Sequence, residues 1–340
     1  MTEKIQILEL FGGIGAPRAA LRNLGIPVKS IDYVEVDQAA VSSYNAMFPD
    51  RGYDTQSVVG WTLKPDILIH GSPCQDFSIA GHQGPARLQD GRVNVARGGD
   101  ESSNTRSSLM WETVRIIREM GEWRPKVVLW ENVKNLLSKH MIHNYEKYLS
   151  VMESMGYTNS TKLIDARSCG IPQARQRVYT VSVLGKTPFD FSKMPEVPMK
   201  GLDWYLEKTE DTKYIVTQPT VYNAIGKGNG EIRRAVIIHD FVNTITTRQD
   251  RTPTQVIDLG GGRYRYLTEL ECWRLQGFDD MDFRAAESTC PVKPGKMNRT
   301  LYHQAGNSIP IPVLEAIFKE MIRQGLFPDL MANRQSRFVV

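Results

Sequence analysis

Between Ile5 and Trp130 short apolar, β-branched runs alternate with stretches of helical periodicity, and this alternation restricts the fold more than any other feature. Ile5 to Leu10 predicts a strand, and Ala16 to Leu24 a helix with Pro17 in its first turn, where a missing N–H is harmless. Ser30 to Val36 predicts a second strand, followed by a helical stretch through Ala46. Asp66 to His70 predicts a third strand, Leu109 to Met120 a helix, and Lys126 to Trp130 a further buried strand. Strands that alternate with helices build a mostly parallel sheet covered on both faces. Ligands of such sheets bind just beyond the carboxyl ends of the strands. The expected class is α/β.

Two stretches depart from the pattern. From Ile79 to Ser108 the chain is rich in Gly, Arg, Ser, Asn and Asp, which predicts a long mobile loop over 79–108. From Lys186 to Arg265 prolines and glycines punctuate the sequence, predicting a separate small domain of irregular and β structure over 186–265. Helical periodicity returns at Leu267 to Phe278 and Pro312 to Gln324. The larger domain is therefore expected over 1–185 plus 266–330, with 331–340 as a tail. At 340 residues and 41% hydrophobic, such a chain needs no disulfide or metal to hold its core. Its four cysteines, Cys74, Cys169, Cys272 and Cys290, form no C-x-x-C pair, so no metal is expected. Scattered thiols, no signal-peptide pattern and no apolar run of membrane-spanning length point to the cytoplasm. A net charge of +4 is compatible with a nucleic-acid partner without arguing for one.

Four motifs carry chemistry. Glu9-Leu10-Phe11-Gly12-Gly13-Ile14-Gly15 is a glycine-rich turn between a strand and a helix, where a nucleotide-bearing ligand can approach the backbone. The dinucleotide fingerprint wants Gly or Ala where Arg18 stands, which disfavours a pyrophosphate and an oxidoreductase. Glu35, at the end of the next strand, can accept both ribose hydroxyls of an adenosine, and S-adenosylmethionine is the obvious candidate. Gly71-Ser72-Pro73-Cys74-Gln75-Asp76-Phe77-Ser78 puts a cysteine in a loop at the ligand edge of the sheet. A cysteine-protease reading would need a histidine beside the thiol, and His70 lies inside the strand. Glu131-Asn132-Val133 follows the strand ending at Trp130 and is either a site carboxylate or a helix N-terminal one. Gln173-Ala174-Arg175-Gln176-Arg177 sets two arginines on one strand face, functional or simply solvated.

Together with Arg274-Leu275-Gln276-Gly277-Phe278 and Gln304-Ala305-Gly306-Asn307-Ser308, these motifs resemble the C5 cytosine methyltransferase family in order and separation. The resemblance implies a Rossmann-like S-adenosylmethionine-dependent methyltransferase domain with a smaller target-recognition domain. It implies that Cys74 attacks cytosine C6, that Glu131 protonates N3, and that Arg175 holds O2 and orients Glu131. Arg177, Gln173 and Asn132 would support them. On the cofactor side it implies Phe11, Gly13 and Gly15 around the methionine end, Glu35 on the ribose and Asp54 at the adenine. Pro73, Leu109, Asn307 and Ser308 would complete the pocket. Val36 stands where many family members have a large, often aromatic side chain, so weaker stacking on adenine is expected.

The implied substrate is double-stranded DNA, with the target base flipped out of the stack. Gln75, Ser78, Arg87 and Arg106 of the loop region are candidate DNA contacts, as are Thr246 and Arg248 of the run Thr244-Ile245-Thr246-Thr247-Arg248. The long loop exceeds the family's usual length. A tRNA methyltransferase on the same scaffold is the nearest rival, and a catalytically silent DNA-binding regulator is another. The absence of a Cys-Phe-Thr element and the well-populated recognition segment disfavour the first. The intact Cys74, Glu131 and Arg175 set disfavours the second. A monomer is expected, with a restriction endonuclease as a possible cognate partner.

Overall fold

The period-2 burial of the first strands divides the core in two. In a computed structural model that describes residues 4–59, 65–72, 86–87, 93–94, 109–139, 141–226 and 235–326, β1 (Ile5–Leu10) buries Ile5 and Ile7 on one face and Leu8 and Leu10 on the other. β3 (Ile67–His70) sends Ile67 and Ile69 one way and Leu68 the other. β6 (Val127–Val133) does the same with Val127 and Leu129 against Val128 and Trp130. Strands buried on both faces read as continuous apolar runs, which is why the sequence shows them clearly.

These strands belong to a six-stranded sheet that also holds β2 (Val28–Val34), β7 (Tyr157–Asp165) and β9 (Gln176–Leu184), in the order β2-β1-β3-β6-β9-β7. β2, β1, β3 and β6 pair in parallel. β9 pairs antiparallel to both β6 and β7. One face packs on α1 (Ala16–Asn23), α2 (Gln38–Met47) and α9 (Ile311–Arg323), the other on α3 (Met110–Glu119) and α4 (Ile142–Ser154). The α/β class and the Rossmann-like layering are as expected.

Two expectations are corrected. Glu131, Asn132 and Val133 do not follow a strand but lie within β6, and no helix N-terminus holds Glu131. Parallel pairing with β3 stops at His70–Trp130, but antiparallel pairing with β9 carries β6 on through Glu131–Tyr179 and Val133–Arg177. Arg175 and Arg177 do not share a strand face. β8 (Gln173–Ala174) pairs with β11 (Val242–Asn243), the chain turns at Arg175, and β9 starts at Gln176.

Within 79–108 the described residues are two short strands, β4 (Ala86–Arg87) and β5 (Val93–Asn94), paired antiparallel. The rest of that stretch and the tail over 331–340 lie outside the described residues. Within 186–265 a small sheet of order β10-β12-β13 (Ala235–Ile237, Thr254–Gly260, Arg263–Tyr266) packs with the short helix α5 (Pro219–Tyr222). Its core is Val216, Val221, Ala235, Val256 and Tyr266. Phe189, Phe191, Leu202, Val242 and Ile245 instead join the main core, so the stretch is interleaved with the larger unit. The return to that unit is pinned where Arg265, 2% exposed, makes a two-pronged ion pair with Glu271, whose carboxylate also caps α6 (Glu269–Arg274) at Thr268. Helices α7 (Asp280–Thr289) and α8 (Arg299–Asn307) lead to α9.

Candidate active site

The turn after β1 is built from residues that need unusual backbone angles. Phe11 (φ 54°) is the only non-glycine with positive φ among the described residues, and Gly13 (53°) and Gly15 (77°) follow. A Cβ on Gly12 would lie 2.6 Å from the Tyr33 ring, and one on Gly15 2.6 Å from the Tyr44 ring. Those two glycines therefore let the turn close on the Tyr33–Tyr44 stack, whose centroids are 3.8 Å apart. Gly13 differs: a Cβ there would meet nothing within 4 Å among the described residues, so its face is open on their side.

Glu35 ties the turn to β2. Its Oε2 accepts from Gly13 N (2.9 Å), and its Oε1 accepts from Val36 N (2.8 Å) and Asp37 N (3.0 Å). Val36, 68% exposed, presents an apolar side chain beside that carboxylate. The Glu35 carbonyl accepts from Gln56 N, which draws the segment carrying exposed Asp54 to the end of β2. Asp37 caps α2 and lies 3.9 Å from His303, whose ring is 3.2 Å from the Asn307 amide. Asn307 is exposed at the end of α8, and Ser308, next to it, is buried. Phe11 packs on the α3/α4 side of the core, and Leu109 is the residue just before α3.

Beneath the turn lies a group to which the sequence reading gave no role. Glu9 is buried, its Oε2 accepting from Tyr44 OH (2.8 Å) and its Oε1 from Arg18 N (3.3 Å). Burial pushes its carboxyl up to about 7, against the opposing pull of Tyr44 and Arg18. Arg18 lays its guanidinium 4.6 Å over Phe48 and bonds Tyr44 OH and Asp50.

Cys74, Pro73, Gln75, Ser78 and Arg106 lie outside the described residues, and of Arg87 only the backbone is described. The chain leading to them is described through Gly71 and Ser72. A Cβ on Gly71 would stand 3.8 Å from Glu131 Oε2, so the end of β3 sits beside the Glu131 carboxylate. Arg177 Nε is 3.3 Å from Glu131 Oε1, with both side chains largely covered. Arg175, in contrast, donates to the carbonyls of Ile245 (3.3 Å), Gly306 (3.1 Å) and Ser308 (2.8 Å). The geometry gives Glu131 to Arg177 and makes Arg175 a clamp between the threonine-rich run and the end of α8. Gln173 reinforces that clamp, donating to Leu275 O (2.8 Å) and accepting from Ile245 N (3.1 Å). Asn132 Oδ1 accepts from Val133 N, while its buried Nδ2 has no partner among the described residues.

His70 is buried and neutral, its pKa lowered to about 3 by burial, and it packs on Trp130 and Tyr148 on the α3/α4 side. In the threonine-rich run, Thr246 is exposed and its hydroxyl donates to Arg248 O. Arg248 is held by both oxygens of Asp250 (3.1 and 3.0 Å). A Cβ on Gly306 would fall 2.5 Å from the Thr246–Thr247 peptide, so this glycine allows the run to press against α8 beside Asn307. Among the described residues no group of His, Cys, Asp and Glu could hold a metal ion, and no helix is long and apolar enough to cross a membrane.

A family model described as C-5 cytosine-specific DNA methylase matches residues 5–256 and 200–323. The chain belongs to that family. It is accordingly a DNA (cytosine-5) methyltransferase. It is 33% identical over 264 residues to the Type II methyltransferase M2.ScrFI of Lactococcus lactis subsp. cremoris, covering 76% of this chain and 67% of that one. It is 30% identical over 366 residues to the Type II methyltransferase M.HpaII of Haemophilus parainfluenzae, covering 95% and 91%. In fold it is similar to the S. pombe Dnmt2 methyltransferase, with a TM-score of 0.70 at 19% identity, covering 96% of this chain and all of that one.

Proposed function

We propose that this methyltransferase takes its methyl group from S-adenosylmethionine and adds it to C5 of a flipped-out cytosine through a covalent bond between Cys74 and C6. The observation that carries the reading is the meeting of three features at one edge of the sheet. These are the open face of Gly13 beside Glu35, the end of β3 that leads to Cys74, and the Glu131–Arg177 pair.

The glycine turn fits an adenosine-bearing cofactor. Gly13 leaves room for close backbone approach, Glu35 retains acceptor capacity for ribose hydroxyls, and Val36 offers an apolar surface for a base. When bound, S-adenosylmethionine supplies an electrophilic methyl on a sulfonium. Cytosine C5 needs activation before it can accept that group. A Cys74 thiolate forms a bond to C6, and the displaced π electrons run toward N3, where Glu131 delivers a proton. The ring is then enamine-like and nucleophilic at C5. After methylation a base removes the C5 proton, the S–C6 bond breaks, and the 5,6 double bond re-forms with Cys74 released. Arg177 holds Glu131 in place, and in this reading the cytosine O2 contact that the resemblance gives to Arg175 passes to Arg177, the arginine paired with that carboxylate.

A cytosine within a duplex cannot reach this edge, so the base is rotated out at the expense of a few kcal/mol of stacking, regained in the pocket. The threonine-rich run, pressed against α8 beside Asn307, joins recognition of flanking DNA to the cofactor side of the site. The protein acts as a monomer on one strand at a time. Calorimetric titration with S-adenosylmethionine, followed by Glu35→Ala, tests the cofactor half. The reading expects saturable binding that is lost in the variant.

A further inference from the structure

Where β3 ends at His70, β6 continues for three more residues, so Gly71 and Ser72 leave the sheet without ladder bonds to β6. A side-chain contact ties them back: the Trp130 indole N–H donates to Ser72 Oγ at 3.1 Å. Both residues are buried, Trp130 1% and Ser72 3% exposed. An indole N–H is a single donor that needs a partner when buried, and among the described residues Ser72 Oγ is the acceptor it meets.

The indole itself is held rigidly. His70, its lateral neighbour in the sheet, stacks on it at 5.5 Å and 7°. Tyr148 lies against it at 4.4 Å and Tyr145 at 5.7 Å. Tyr148 OH also meets His70 Nε2 at 3.3 Å, which closes the cluster. Successive residues of a strand point to opposite faces. Trp130 therefore enters the α3/α4 core while Glu131, the next residue, lies beside Gly71 and bonds Arg177.

We propose that Trp130 is a positioning residue for methyl transfer, fixing Ser72, and with it the chain two residues before Cys74, relative to Glu131. The inference rests on the reading of Cys74 and Glu131 given above. One dipeptide, Trp130-Glu131, then carries both the anchor of Ser72, which leads to the nucleophile, and the proton donor, so their separation is set by a single strand. Productive attack requires the nucleophile and acid to be placed together to within a fraction of an ångström.

The test compares wild type, Ser72→Ala, Ser72→Thr, Trp130→Phe and Ser72→Ala/Trp130→Phe in single-turnover methylation of duplex DNA. Affinities for S-adenosylmethionine and for DNA are measured alongside. Ser72→Ala and Trp130→Phe are expected to slow transfer by about tenfold each, with both affinities unchanged. Ser72→Thr, which keeps the hydroxyl, is expected to restore most of the rate. The double variant is expected to be no slower than the slower single, because both remove one bond. Ser72→Ala with the wild-type rate, or a double variant whose losses multiply, overturns the proposal while leaving the Cys74 reading intact. A wild type that methylates no cytosine in DNA overturns that reading and this proposal with it. Should Trp130→Phe fail to fold, the Ser72→Ala and Ser72→Thr pair decides alone.

Discussion

Arg177 Nε stands 3.3 Å from Glu131 Oε1, while the guanidinium of Arg175, two residues earlier, donates to the backbone carbonyls of Ile245, Gly306 and Ser308. Two arginines that look equivalent in sequence therefore have different roles, and substitution separates them. Arg177→Ala is expected to lower kcat by about a hundredfold, from loss of one charged contact to Glu131, the proposed acid, with little change in Tm. Arg175→Ala leaves buried carbonyls unsatisfied and is expected to destabilise the fold by about 2–4 kcal/mol. Urea unfolding beside steady-state kinetics distinguishes the two; equal stability losses would contradict the division.

The glycine turn offers a second separation. Gly15→Ala puts a methyl 2.6 Å from the Tyr44 ring at φ 77°, and is expected to cost about 3 kcal/mol of stability. Gly13→Ala meets no neighbour within 4 Å among the described residues and is expected to cost only about 1–2 kcal/mol, for its left-handed backbone. Its methyl would occupy the space offered to the cofactor, so S-adenosylmethionine affinity should fall at least tenfold in a protein that still folds. Undiminished affinity in Gly13→Ala would move the cofactor away from this turn.

Glu9 and His70 predict a specific pH signature. Glu9 has its carboxyl raised from 4.5 to about 7, so between those values the folded state holds a proton that the unfolded chain lacks, and stability falls as pH rises. His70 has its pKa lowered from 6.5 to about 3, so between those values the unfolded chain holds the extra proton, and stability falls as pH drops. The two slopes oppose each other from about pH 4.5 to 6.5 and nearly cancel. Glu9→Gln removes one of them. The variant should lose stability toward acid by roughly 1 kcal/mol per pH unit more steeply than wild type across that window. Denaturant midpoints at several pH values check it; parallel wild-type and variant profiles would count against the buried, proton-sharing Glu9.

Legibility in the sequence followed the physics of each feature. The strands β1, β3 and the first part of β6 were plain because burial on both faces demands unbroken apolar residues. The end of β6 was hidden because Glu131 and Asn132 break that run, and only the antiparallel neighbour β9, more than forty residues away, supplies the ladder that extends it. The turn at Arg175 was hidden for a similar reason, since it depends on pairing between β8 and β11. Gly13 and Glu35 could be named from motif chemistry, but not the Tyr33–Tyr44–Glu9 platform beneath them. Its members meet only through packing of β1, β2 and α2. The interleaving of Phe189, Val242 and Ile245 with the main core likewise has no local signal.

The most direct test of the central claim is to express wild type and Cys74→Ser in a host that lacks cytosine methylation and map 5-methylcytosine at base resolution. The account predicts methylation confined to one short motif in the wild type and none in the variant. Methylation that persists in Cys74→Ser, or unmodified DNA from a folded wild type that binds S-adenosylmethionine, would contradict it.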